Sequence, residues 1–324
     1  MDTQLVIALL ASILADSAPL VIASVGETIT ERAGVINLSL DGSILLAAMT
    51  GFAVAFVTNN LILGFLAAMA VGALVALIVA VASIELRQDQ VAVGFVLTLL
   101  CADLSSFLGN PFVRQPGPAV GHLPIPLLDR IPVLGPIFFD QNPVVYLSLL
   151  TIIVCWLWVF KTRPGLILQG IGERPAAAFA RGANVRLLRY VYVLVGGALV
   201  GFAGAGYSLS VKLGWSYHHT YGLGWIALAI VIFGGWDPLR AAMGAYLFRA
   251  LGSLGSILQG IAPGVPTQVF QAAPFALMIV VLLLVSSQGL ERFLALFPPP
   301  IRRRLSGALR VAPPAALGTA FEQE

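Results

Sequence analysis

Charge is what this sequence has least of. Only 10% of its residues are Asp, Glu, Lys or Arg, against about 25% in soluble domains, while 59% are hydrophobic and the mean hydropathy is +0.94. That deficit excludes an ordinary soluble domain and points to a polytopic membrane protein. Cysteine is almost as scarce. Cys101 and Cys155 both lie in apolar runs, so a disulfide framework is not expected. The only lysines are Lys161 and Lys212, and neither follows the glycine of a G-x-x-x-x-G-K-[ST] phosphate loop. The chain therefore cannot use ATP through that fold by itself. His218 and His219 are adjacent and cannot share one helix face, and no acid lies nearby in sequence, so interfacial side chains are favoured over a metal site. With no acid–base or metal cluster, no enzyme and no cofactor is expected. The N-terminus lacks the positive n-region of a signal peptide and carries Asp2, so the first apolar run is read as a retained span.

What remains is a series of apolar runs long enough to cross about 30 Å of hydrocarbon. They lie at about 5–25, 42–58, 61–82, 91–108, 143–160, 190–210, 222–235, 240–258 and 270–289. The fold expected is all-α and polytopic, with about 8–10 transmembrane helices, some of them broken. The domain division is a membrane domain over 1–297 and a tail over 298–324. That tail has a proline stop, a basic cluster and a low-complexity end, and is expected to be cytoplasmic and mostly disordered. The proline-rich stretch 109–142 is read as a structured crossing outside the membrane rather than a helix.

The chain is organised around the loop 161–189, which holds six of its eighteen basic residues: Lys161, Arg163, Arg174, Arg181, Arg186 and Arg189. If this loop is cytoplasmic, alternation places fourteen Lys and Arg inside and three outside (Arg114, Arg130 and Lys212), with Arg249 within a span. That asymmetry fixes the orientation, and it explains a pI near 9.1 without nucleic acid. Inside the loop, Pro175 suits a first helical position, Ala176 to Ala180 propagate a helix, and Gly182 can supply a left-handed cap. A helix of about two turns does not persist alone in water, so it needs a surface to lie against.

Two stretches interrupt the apolar pattern: Gly26 to Gly42, and Gly214 to Pro238 around a short apolar run. Such backbone at membrane depth is tolerated only when buried in protein or lining a water-filled cavity. A pair of breaks, one per half, is also what an internal inverted repeat would show. Charges inside spans are costly and usually face a bundle interior or a water path. Asp16, Asp103 and Arg249 are such charges. Asp103 and Arg249 could pair, snorkel to an interface or line a substrate path. Asn37, in the first break, could bind substrate or cap backbone groups. Gly197-x-x-x-Gly201 is a small-residue spacing that lets helices approach closely, and core packing is its favoured role.

These residues carry a family resemblance. GETITERAGVINLSLDG resembles the opening of ABC-importer permeases of the simple-sugar and branched-chain-amino-acid type, through Gly26, Glu27, Glu31, Arg32, Gly34, Val35, Asn37, Leu38 and Gly42. GERPAAAFARGANV is similar to that family's cytoplasmic coupling segment, G-E-N-P-x-A-A-x-x-x-G-I-N-V, with Arg174 in place of its Asn and Ala183 in place of its Ile. The stretches GALVGFAGAGYSL and GLGWIALAIVIFGGWDPLRAAMGAYLF are also similar. A late run with Gln259, Pro266, Pro274 and Phe275 leans toward the nucleoside-uptake branch. The resemblance spans about residues 20–290. It implies a bacterial inner-membrane permease that works by alternating access. Its implied partners are a second homologous permease, a cytoplasmic ABC ATPase and an extracytoplasmic substrate-binding protein. Glu173, Arg174, Pro175, Ala177, Ala178, Arg181 and Gly182 would couple it to the ATPase, and Asn37, Asp103 and Arg249 are the substrate-path candidates. The rival class is an ion-coupled secondary transporter using Asp16, Asp103 and Arg249.

Overall fold

A computed structural model describes residues 3–220, 222–261, 264–286, 298 and 312–319. Each apolar run forms a helix. In chain order these are α1 (Thr3–Arg32), α2 (Leu40–Thr58), α3 (Leu61–Ala80), α4 (Gln90–Gly109) and α5 (Pro143–Lys161). The basic loop then forms α6 (Arg163–Glu173) and α7 (Pro175–Ala180). The series ends with α8 (Val185–Gly206), α9 (Leu223–Gly234), α10 (Pro238–Ile261) and α11 (Thr267–Ser286). Among the described residues seven helices are long and apolar enough to cross a membrane, and α9 is a shorter apolar helix. No strand occurs among the described residues, and a single bridge joins Val113 to Trp215. The protein is thus all-helical, as its hydropathy predicts.

Local chemistry sets the helix boundaries. Asn60, Asp89, Asn142, Thr162 and Asn184 each cap a helix start by accepting from backbone N–H groups that have no intrahelical partner. The short α9 is framed by Gly222 and Gly235, both left-handed, which makes it the broken element expected there. The first interruption is narrower than the sequence suggests. Helix α1 runs through Glu27, Glu31 and Arg32, and only residues 33–39 leave helical geometry. Residues 109–142 are mostly irregular yet pinned, with Leu123 N donating to Gln141 O (2.9 Å) and Ile125 N to Phe139 O (2.8 Å). Beyond α11, the expected disorder of the tail falls largely on positions outside the described residues; 312–319 lie against the bundle.

Helix α1 is the axis of the bundle, buried almost continuously from Ser17 to Glu31. Helix α8 fits between it and α3. A Cβ at Gly196 would stand 2.6 Å from Gly26 O, and one at Gly197 would stand 2.7 Å from Gly72 O. The small-residue spacing therefore serves close packing. Replacing Gly197 by Leu should force the helices apart, at a cost of about 1–3 kcal/mol. The thermal midpoint in detergent should fall by several degrees, whereas Gly252→Ala, whose added Cβ meets nothing within 4 Å, should not lower it. An unchanged midpoint in Gly197→Leu would contradict this packing.

Candidate functional site

The two interruptions of the sequence meet at one end of the bundle, the end that carries loop 161–189. Glu27 and Glu31 lie one helical turn apart on α1, 0% and 4% exposed. Asn37 Nδ2 donates to Glu27 Oε2 (3.4 Å), and Asn37 Oδ1 accepts from Ser39 N (3.2 Å) and Ser39 Oγ. Trp236 Nε1 donates to Glu31 Oε2, and Arg32 Nε donates to Trp236 O. Arg32 also stands 5.0 Å over the Phe160 ring of α5. The loop 33–39 is pinned from α4, where Gln90 Oε1 accepts from Ile36 N (2.7 Å) and Thr98 Oγ1 donates to Leu38 O (2.8 Å). At the start of α2, Asp41 Oδ1 accepts from Gly224 N of α9 (2.9 Å). The result is a buried polar joint tying α1, α2, α4, α5, α9 and the turn before α10. Asn37 belongs to it, 1% exposed, in a backbone-bonding position.

Beside the joint, α6 and α7 project as an arm. Pro175 occupies the first turn of α7, and Gly182 closes it at φ +88°, with its N donating to Phe179 O (2.8 Å). Glu173, Arg174, Ala177, Ala178, Arg181 and Gly182 are brought together around a groove of about 560 Å³, which Leu166 and Ile167 of α6 also line. Leu166 (60%), Phe179 (40%) and Leu187 (57%) are left exposed around it. This is an apolar, partly basic surface that the described residues leave open. The arm's root touches α1 closely enough that a Cβ at Gly172 would meet Arg32 O. Arg186 of α8 pairs with Glu85, which also accepts from Tyr190 Oη (3.1 Å), so the far side of the loop is tied to the end of α3.

The intramembrane charges separate. Arg249 of α10 stands 6.0 Å over the Tyr207 ring and lies within electrostatic reach of Asp16. Its Nε and Nη2 are buried with no hydrogen-bond partner among the described residues, and Tyr246 lies one turn away. Among the described residues no ion pair joins Arg249 to Asp103. Asp103 is exposed on the outward face of α4, flanked by exposed Leu99, Leu100, Leu104 and Phe107.

At the opposite end of the bundle, a cleft of about 450 Å³ is lined by Arg114, Gln115, Lys212, Trp215, Ser216 and His219 among others. Arg114, Leu213 and His218 all hold positive φ (57°, 53° and 49°), which is costly for residues with a Cβ and marks an over-determined site. Arg114 N donates to Trp215 O (3.0 Å), closing the wall. Among the described residues the buried Trp215 Nε1 and His219 Nε2 have no hydrogen-bond partner. His219 packs against Tyr207 and Trp215, with ring centroids 5.4 Å away in each case. Burial, with the Lys212 charge second, pushes the His219 imidazole down to about 4, so it is neutral at ordinary pH.

Sequence reasoning missed Trp236, Tyr207, Tyr246 and the cleft. The i, i+4 spacing of Glu27 and Glu31 was the one available signal that two acids share a face and need donors from elsewhere.

The family described as "Branched-chain amino acid transport system / permease component" matches residues 9–282. A protein of Haloferax volcanii provisionally named as a glucose ABC transporter permease is 38% identical over 72% of this chain and 73% of its own length. The nucleoside ABC transporter permease NupC of Lactococcus lactis is 35% identical over 85% of this chain and 91% of its own. The guanosine ABC transporter permease NupQ of Bacillus subtilis is 34% identical over 82% and 88%.

His219 yields a pH prediction. Its folded pKa is depressed, so between about 6.5 and 4 the unfolded chain takes up the proton and the folded one does not. Stability should therefore rise with pH across that window and level off on either side of it. Thermal melts at pH 5 and pH 7.5 should differ less in His219→Gln than in the parent. An equal difference in both would show that His219 is not held neutral.

Proposed function

The chain belongs to the branched-chain amino acid transport system permease family, and on that premise we propose that it imports nucleosides by alternating access. It is a multi-pass membrane protein and the permease component of an ABC importer for sugars or nucleosides, with ATP hydrolysis residing in a partner subunit. The observation that supports the mechanism is the arm α6–α7, whose groove the described residues leave open and which is rooted against the joint at the end of α1. In this reading the ATPase receives α7, and nucleotide-driven closure pushes the arm. Glu31, Arg32 and Trp236 pass the displacement to α1 and α10 together. Helix α10 carries Arg249, whose unpartnered guanidinium nitrogens beside Tyr207 and Tyr246 suit a polar solute in the path.

The fourteen-to-three distribution of basic residues supports a cytoplasmic arm and C-terminus in a bacterial inner membrane. The cleft with Arg114 and Lys212 then faces the extracytoplasmic binding protein. An acid exposed on an apolar helix face is costly in hydrocarbon. Asp103 on the outer face of α4 therefore favours contact with a second, homologous permease there. Nucleosides are preferred as substrates because the two relatives named for nucleoside or guanosine transport match 85% and 82% of the chain. A sugar is the second reading, favoured by the 38% identity to the relative named for glucose.

In vesicles holding the assembled transporter, radiolabelled nucleoside uptake should require internal ATP, and an imposed pH gradient alone should drive none. Ala177→Asp puts an unpaired charge in the apolar groove and should release the ATPase, cutting uptake at least about tenfold. Arg249→Ala should slow uptake without making it gradient-dependent. Full uptake and full ATPase retention in Ala177→Asp would refute the docking site, and gradient-driven uptake would refute the mechanism.

Orientation is checked separately. An impermeant thiol reagent should label Pro175→Cys only from the cytoplasmic side and Pro118→Cys only from outside. The reverse pattern would invert every assignment of sides.

A further inference from the structure

We propose that the surface formed by Gly34, Gly172, Glu173 and Arg189 is a binding site for the chain's own C-terminal segment, residues 312–319, and that this segment straps the arm α6–α7 to α1. The first half stands on hydrogen bonds alone. The second rests on the reading of α6–α7 as the coupling arm.

Helix C-termini leave their last carbonyls without intrahelical donors. Two such carbonyls here receive donors from the tail: Ala316 N donates to Gly172 O at the end of α6 (2.8 Å), and Gly318 N to Gly34 O just past α1 (3.0 Å). Ala315 N also reaches Glu173 Oε2 (3.4 Å). From α8, Arg189 Nη1 donates to Thr319 O (3.1 Å). Arg189 is 3% exposed, and a buried guanidinium requires acceptors; the tail supplies one.

The segment is built for this seat. Pro313 and Pro314 prevent a helix. Leu317 N closes a turn onto Pro314 O (2.9 Å), and Gly318 holds φ +74° against Ile36. Pro314 and Ala316 are buried against the bundle, and a Cβ at Gly172 would stand 3.4 Å from Pro314. Without the strap, the arm's root and the end of α1 would each expose a carbonyl, and the two would be joined by packing alone. With it, displacement of the arm must carry α1 or break hydrogen bonds to both.

Two measurements on the full transporter test this. Spin labels on Ala312→Cys and Leu187→Cys, both exposed positions, should give one narrow, short distance distribution; a broad, long one would overturn the cis-bound strap whatever the arm does. Ending the chain at Val311, or making Ala316→Pro to remove a single donor, should leave the ATPase attached and its basal hydrolysis unchanged. Solute carried per ATP should fall roughly fivefold in Ala316→Pro, the effect of one net hydrogen bond on an equilibrium, and by more in the truncated chain. A synthetic peptide of residues 312–324 should restore it to the truncated protein. Transport per ATP that is unchanged in both variants would overturn the strap's role. If the arm itself is misread, Ala177→Asp will keep its ATPase while the label distance stays short, so the two failures are distinguishable.

Discussion

Helix α8 can lie between α1 and α3 only because the facing positions carry no side chain. Helices packed through ordinary side chains stand 8–10 Å apart. Here glycine on α8 faces glycine on both neighbours, at 196 against 26 and at 197 against 72. This approach sinks α1 into the middle of the bundle, so that its last turns have no lipid-facing or solvent-facing side. The burial of everything on the end of α1 follows from that one packing constraint.

Burial at that depth dictates the chemistry of the joint. Two carboxylates a turn apart cannot stay buried without donors, because the cost of desolvating each runs to several kcal/mol. Glu27 finds Asn37 from the following loop, and Glu31 finds the indole of Trp236 from a turn about two hundred residues away. Arg32 then closes onto the backbone of the same tryptophan. Polar residues that would be a liability in a span become the means of holding α1, the loop 33–39 and the start of α10 as one body. Glu27 Oε1 has no hydrogen-bond partner among the described residues, so losing Asn37 would leave that acid with no side-chain donor, and losing Trp236 would do the same to Glu31.

Much of this was legible in the sequence, and the boundary is physical. Hydropathy located all nine helical runs, because each is a property of its own segment. Pro175 and Gly182 announced the ends of α7 because proline at a first helical turn and glycine at a left-handed cap are local backbone requirements. Pairings between distant segments were not legible. Arg249 and Asp103 are both intramembrane charges, and nothing in their runs shows that one faces Tyr207 and the other faces outward. Asn37 read equally well as a ligand for substrate or for backbone until its neighbours were known. The seat of residues 312–319 was hidden for the same reason, since a proline-rich, low-complexity stretch reads as disorder when the carbonyls waiting for it are not in view.

The arm α6–α7 depends on its surroundings for its structure. A helix of about two turns has almost no stability of its own. Its backbone is fixed at one end by Pro175 and at the other by Gly182, and it lies along α6 with Leu166, Phe179 and Leu187 exposed beside it. Leu166 and Leu187, exposed next to a root tied to α1, form the kind of apolar surface that suits burial against another one. At Gly172 the arm meets the most deeply packed helix of the bundle with no side chain between them, so its root cannot shift without disturbing α1.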